Sequence, residues 1–437
     1  MRISLLTATA VVVSNMIGTG IFTSLHFQVE PLPSGFVILV LWLVGGICAL
    51  CGALAYGELA AALPRSGGEY HFLSQIYHPA VGFLAGWLSA TVGFAAPIAV
   101  AAIAFGRYFA DVVPGISPVA LSLLVVALTT VVHLRGVAVG AAFQNASTLL
   151  KLLLILIFIA VGAFAARAGG TSFAPPVETM NLITSPAFAV SLVFVMYAYS
   201  GWNAATYIMG EVQNPARNVP RAIALGTGCV IVLYLALNAV FLRVAPMAEI
   251  GEKEKIEVGY IAARHIFGEA GGRIMAGLIC LGLIASISAM TWIGPRVAMV
   301  MGEDYRLLAP LAYKSARGVP AVGMLFQFII VAVLLVTAAF DWIVNYIQFS
   351  LTLCSMIAVA GVFVLRWRQP NLPRPYRTWG YPVTPLIFLA ISAWMLVFIC
   401  RQHPRESGAG LGTLLFGLII YAASPKRGPE LSKQEPL

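Results

Sequence analysis

The residues best suited to chemistry in this chain are glycines, hydroxyls and one lysine rather than paired acids and bases. Residues 14–22 read Ser-Asn-Met-Ile-Gly-Thr-Gly-Ile-Phe, and residues 197–203 read Tyr-Ala-Tyr-Ser-Gly-Trp-Asn. Both segments lie inside long apolar runs. A glycine disfavours a continuous helix by about 1 kcal/mol relative to alanine, so Gly18 and Gly20 around Thr19 predict an unwound point. Unwound backbone at membrane depth is tolerated only where it lines a cavity or is buried in protein. There, free N–H groups opening a half-helix attract anions, and free C=O groups attract cations. A bound zwitterion fits both. Its carboxylate is expected at the amides of Gly18, Thr19, Gly20 and Ile21, and its ammonium at carbonyls near Tyr197, Ala198 and Ser200. The competing explanation of the same glycines is close helix packing through small residues.

Lys151 is the most informative charge. It lies in Gln-Asn-Ala-Ser-Thr-Leu-Leu-Lys and is followed mostly by Leu and Ile. A lysine in mid-membrane costs about 2.5–3.5 kcal/mol on insertion scales, which points to a function. The alternative is an ammonium that snorkels to the interface. Glu58, Arg65, Glu69, Glu211, Arg217 and Arg221 are expected at helix ends, in interfacial salt-bridge networks. His71, His78 and His133 are expected at hydrated helix ends. Cys48 and Cys51 form a C-x-x-C in mid-helix with no further ligands nearby, so they are expected as small core residues rather than a metal or redox site. The chain contains no P-loop, H-E-x-x-H or G-x-S-x-G. Neither an enzyme nor an ATP-driven pump is expected, and no cofactor or metal is called for.

The elements that position these residues follow from composition. Hydrophobic residues make up 60% of the 437 and charged residues 10%. Soluble domains carry roughly 25% charged residues, so this chain cannot cover a water-facing globule. A net charge of +9 does not point to nucleic acid, because the basic residues fall in short loops between apolar runs. A membrane helix needs about 20 apolar residues. Twelve spans are predicted, over 5–27, 35–62, 81–110, 117–134, 143–167, 185–209, 221–245, 271–301, 319–340, 343–366, 381–400 and 408–424, with one long polar connection at 246–270. The apolar run after Arg2 continues to Phe27 and is read as the first span rather than a signal peptide. With the N-terminus inside, sixteen Lys and Arg fall in inner segments, nine in outer segments and Lys151 within a span. Both termini are therefore expected to be cytoplasmic, in a plasma membrane of the bacterial inner-membrane type.

The two interrupted spans are the first and the sixth. Inverted-repeat transporters place broken helices at corresponding positions of their two halves. The expected organisation is one five-helix repeat over 1–168, an inverted second over 185–366, two additional helices over 381–424 and a cytoplasmic tail over 425–437.

The order of motifs resembles the amino acid–polyamine–organocation superfamily, nearest its L-type amino acid transporters. Ile17 to Phe22 (IGTGIF) is similar to the family's IGSGIF. ELAAALPRSGGEY (58–70) and YAYSGWNAATYIMGEVQNPARNVPRAI (197–223) match the family's patterns. The resemblance implies an all-helical leucine-transporter-type fold with broken first and sixth helices. It implies recognition of the substrate backbone by Gly18, Thr19 and Gly20, with the ammonium at the carbonyls of Met16, Tyr197, Ala198 and Ser200. It makes Tyr197 an aromatic gate and Asn203 a polar residue near the site. It gives Lys151 the place of a sodium ion between the first, fifth and eighth spans, with Ser286 and Ser288 as neighbours; a proton-carrying role for Lys151 is the other possibility. The sequence departs from the family at Glu303, where a basic residue is usual, and at Pro295. The segment from Asp111 to Pro118 lacks the cysteine that ties animal L-type members to a glycoprotein, so no disulfide-linked partner is expected.

The expected function is sodium-independent secondary transport of neutral L-amino acids by alternating access, through exchange, uniport or proton coupling. A cationic amino acid or polyamine carrier would need an acid in the cavity, and none stands at mid-span. A membrane sensor that binds amino acids without carrying them is the alternative of another class.

Overall fold

The structure, a computed structural model, describes residues 3–112, 115–165, 171–252, 258–337 and 340–425. The segment expected as a cytoplasmic tail therefore falls almost entirely outside the described residues, as do Arg2, Arg167, Lys253, Lys255, Lys426, Arg427 and Lys433.

The described residues are helical almost throughout. Ten helices are long and apolar enough to cross a membrane, and two further apolar helices, Pro118–Leu134 and Ala321–Thr337, are 17 residues each. Together they give the twelve spans. All backbone polar groups within a lipid-facing helix are satisfied internally, which is why apolar length translates so directly into helix here.

The first span is broken. Its halves are Leu5–Met16 and Gly20–Thr23. The sixth is broken as well, into Pro186–Tyr199 and the tighter Ala204–Glu211. Gly201 between them has φ +95°, a conformation that L side chains rarely adopt. The second span is Gly35–Ala62 and the fifth Val137–Phe164. The seventh is Pro215–Val244. The third span holds one wide turn, Ser89–Gly93, between Pro79–Leu88 and Ala95–Val112; nothing in its apolar pattern signals that turn.

The long polar connection expected over 246–270 is shorter. A single turn, Met247–Ile250, follows the seventh span, and Val258–Asp304 is helical apart from a break at Gly268, where φ is +73°. The eighth span thus begins well before residue 271. Polar residues such as Arg264 and Glu269 argue against helix in that stretch, yet Arg264 pairs with Glu249 of the preceding turn.

The broken first span packs against the fifth, seventh and eighth spans. One end of the bundle gathers Ile3, Arg65, Glu211, Arg296 and Asp304; the other gathers the turn around His26, bonded to the Ile250 carbonyl at 2.8 Å.

Candidate functional site

The two breaks face each other. The hydroxyls of Thr19 and Tyr197 lie 3.2 Å apart. The Asn15 amide donates to the Gly201 carbonyl at 3.1 Å. A Cβ on Gly20 would sit 2.6 Å from Ala198 Cα, closer than real Cβ atoms come. Glycine at this position is what lets the breaks approach. At Gly18 the nearest such neighbour is Ser286 Oγ at 4.0 Å, so that position has room. Between the breaks lies a cavity of about 90 Å³. Met16, Gly18, Thr19, Gly20, Tyr197, Ala198, Ser200 and Asn203 line it, as the sequence groups them; Ile17 and Ile21 do not. No charged side chain lines it among the described residues.

The backbone groups divide in a definite way. Neither the Gly18 nor the Thr19 amide finds a backbone acceptor among the described residues. The carbonyls are more occupied. Tyr197 O accepts from the Ser200 amide at 3.0 Å and the Ser200 hydroxyl at 2.7 Å. Met16 O and Ala198 O both lie within reach of one hydroxyl, that of Tyr234 on the seventh span, at 2.8 and 2.9 Å. A carbonyl oxygen has two lone pairs, so Met16 O and Ala198 O each retain one acceptor direction and Tyr197 O, expected to meet the ammonium, retains none. Tyr234 is fully buried. Nothing in the sequence distinguishes it from the core residues around it, because its partners are 218 and 36 residues away.

Lys151 does not snorkel. It is 3% exposed, on the fifth span's buried stripe with Gly140, Gln144, Thr148, Ile155 and Phe158. That spacing of three and four residues is one helical face. Its ammonium donates to the Ile17 carbonyl at 2.6 Å, the Ser286 hydroxyl at 2.6 Å and the Ser14 carbonyl at 3.3 Å. An ammonium has three donors, and all three are used. Ile17 thus belongs to this cation position rather than to the cavity. Ser288 does not neighbour Lys151. Two residues from Ser286, it faces away around the helix, and its hydroxyl meets His133 Nε2 at 2.8 Å. His133, expected at a hydrated end, is 2% exposed and stacks on Trp292.

Of the six charges expected in helix-end networks three pair, while the exposed Arg217 and Arg221 are in no ion pair among the described residues. Glu58 takes Arg366 at 2.7 Å, Arg65 takes Asp304 at 2.9 Å, and Glu211 pairs with the buried Arg296. Glu303, at the position where a basic residue is usual in the family, pairs with Lys314 at 3.3 Å. Glu69 departs from this pattern. It is 3% exposed and in no ion pair among the described residues. Its Oε1 accepts from the Tyr56 hydroxyl at 2.7 Å and the Asn203 amide at 2.7 Å, and its Oε2 from the Tyr207 hydroxyl.

Comparison with known proteins places this arrangement. Residues 3–423 match the family described as amino acid permease. The chain is similar to the human large neutral amino acids transporter small subunit 2, at 30% identity over 96% of this chain and 79% of that protein. It is also similar to the mouse Asc-type amino acid transporter 1, at 27% identity over 96% of this chain and 80% of the relative. The mouse b(0,+)-type amino acid transporter 1 is 27% identical over 96% of this chain and 87% of its own length.

Proposed function

Because the chain belongs to the amino acid permease family, as a multi-pass membrane transporter of amino acids and not an enzyme, we propose that it carries neutral L-amino acids by alternating access without sodium. The observation that carries the sodium-independent reading is the Lys151 ammonium. It holds carbonyls of the first span and a hydroxyl of the eighth at 2.6–3.3 Å, so a fixed cation stands where a mobile one would otherwise be needed. Charge-assisted bonds of this kind are roughly twice as strong as neutral ones.

Neutral cargo is supported by the cavity, which no charged side chain lines among the described residues. The zwitterion's carboxylate goes to the free amides of Gly18 and Thr19, with Gly20 closing the turn. Its ammonium goes to the remaining acceptor directions at Met16 and Ala198 and to the Ser200 carbonyl, and not to Tyr197 O, which Ser200 already occupies twice. Tyr197 closes over the bound molecule through its bond to Thr19. The first five helices and the next five act as inverted repeats, 1–168 and 185–366, rocking about this site. Both termini and the end that carries Arg65 and Arg296 face the cytoplasm, as the excess of inner Lys and Arg requires.

Purified protein in proteoliposomes tests the reading by uptake of one labelled neutral amino acid against a panel of competitors. Neutral amino acids should compete, and their methyl esters, which lack the anion, should not. Competition by arginine or putrescine, with none by alanine, serine or leucine, overturns it. Binding without uptake would instead make the protein a sensor.

A further inference from the structure

Resting on the transport reading, we propose that Glu69, which does not touch the cavity, turns its floor into an acceptor surface and so selects short neutral amino acids whose side chains donate a hydrogen bond, serine and threonine above all. The argument is a count of protons. In each contact that Glu69 makes with its neighbours its oxygen is the acceptor. Glu69 faces three neutral groups, and each spends a proton on it: the Tyr56 hydroxyl, the Tyr207 hydroxyl and one N–H of Asn203. Two of those groups, Asn203 and Tyr207, also line the cavity.

What remains of them for a ligand follows directly. A tyrosine hydroxyl has one proton and two lone pairs; with that proton on Glu69, Tyr207 has no donor to offer, and its oxygen already receives the Asn203 amide at 3.3 Å and the Ser89 side chain. An amide whose nitrogen faces Glu69 cannot be flipped, since its oxygen would then meet a carboxylate oxygen at 2.7 Å. The Asn203 amide is thereby fixed with Nδ2 toward Glu69, and toward the Tyr207 hydroxyl at 3.3 Å. Its Oδ1 takes no hydrogen bond from any described residue, although its other atoms are held. A ligand therefore meets, in Asn203 Oδ1, an acceptor whose orientation it cannot change. Buried Glu69 is in no ion pair among the described residues, and removing any of its three donors would be costly.

A site built to accept a hydrogen bond discriminates strongly against an analogue that lacks the donor. The cavity is small, about 90 Å³, which favours a short side chain. Serine and 2-aminobutyrate differ only by hydroxyl against methyl, as do threonine and valine. Packing alone treats the members of each pair alike, whereas the acceptor floor does not.

The experiment is uptake of serine and of 2-aminobutyrate by the full chain in proteoliposomes, wild type and Glu69→Gln, read as a ratio of kcat/KM within each preparation. About tenfold preference for serine is expected in the wild type. A glutamine side chain both donates and accepts, so the substitution releases Asn203 to rotate, and the ratio should fall towards one at any absolute rate. If Glu69→Gln is not recovered from membranes, Tyr207→Phe takes its place. That variant removes one of the two groups that hold the Asn203 amide, and a partial fall is expected. Equal uptake of the two isosteres by wild type overturns the floor and leaves the transport reading standing. An unchanged ratio in the variant overturns the role of Glu69. Uptake of neither compound, nor of any other amino acid, contradicts both.

Discussion

The hydroxyl of Tyr234 lies 2.8 Å from the carbonyl oxygen of Met16. The same hydroxyl reaches Ala198 O at 2.9 Å, so one proton from the seventh span serves a carbonyl at each break. Tyr234→Phe keeps the ring, its edge contact with Trp42 and the packing, but leaves both carbonyls without that donor. An unsatisfied buried acceptor costs about 1–3 kcal/mol. We expect an apparent substrate affinity weaker by about tenfold, with the amount of folded protein unchanged. KM and kcat both equal to wild type would show that the bridge does not position the breaks.

The two glycines of the first break should separate experimentally. Gly20→Ala places a methyl 2.6 Å from Ala198 Cα, against backbone that cannot yield cheaply, and should abolish substrate binding by forcing the halves apart. Gly18→Ala meets nothing closer than 4.0 Å and should assemble normally, with binding reduced only as far as the methyl occupies the cavity. Binding measured by ligand-induced thermal shift distinguishes them. Equal effects of the two substitutions would mean that the approach of the breaks is not what Gly20 provides.

At the end of the bundle that carries Arg65, the buried Arg296 pairs with Glu211, and Ile3 pairs with the backbone on either side of Val212. These contacts hold the elements at that end together. Glu211→Gln leaves a guanidinium buried without its carboxylate. Removing one partner of a buried pair costs about 3–5 kcal/mol, less here because Glu211 is 26% exposed. A lower melting temperature is expected, partly recovered in the double variant Glu211→Gln, Arg296→Gln. Unaltered melting of the single variant would mean that the pair does not hold that end together.

Much of this architecture was legible because lipid imposes it. Apolar length marks the spans, and Gly18 with Gly20 marks the first break as Gly201 marks the second, since a bilayer leaves few other ways to explain Gly-Thr-Gly in an apolar run. The lysine at position 151 announces itself by cost. What stays hidden are polar residues whose partners are distant in sequence. Tyr234 reads as one more core aromatic. Glu69 follows Gly-Gly at the start of the short helix Glu69–Ile76, where a surface ion pair is the ordinary expectation. Its burial depends on Tyr56, Asn203 and Tyr207 arriving from two other spans. Ser288 groups with Ser286 by sequence proximity, although a step of two residues along a helix turns a side chain by about 200°.

Lys151→Ala removes the donor to Ile17 O, Ser286 Oγ and Ser14 O together. As a fixed cation tying the first and eighth spans to the fifth, its loss should slow translocation at least tenfold at every pH, with partial rescue by added sodium. As a proton carrier, its loss should abolish only the response to a pH gradient and spare exchange. Uptake and counterflow by the variant, measured across pH 6–8 with and without sodium, decide between the two, and we expect the first outcome.

The most direct test of the central claim is initial uptake of a labelled neutral amino acid by the wild-type protein in proteoliposomes, with sodium or choline as the only external cation. With the Lys151 ammonium already seated between Ile17 and Ser286, uptake should be equal in the two salts. Uptake that requires sodium would contradict the assignment of Lys151 as the resident cation.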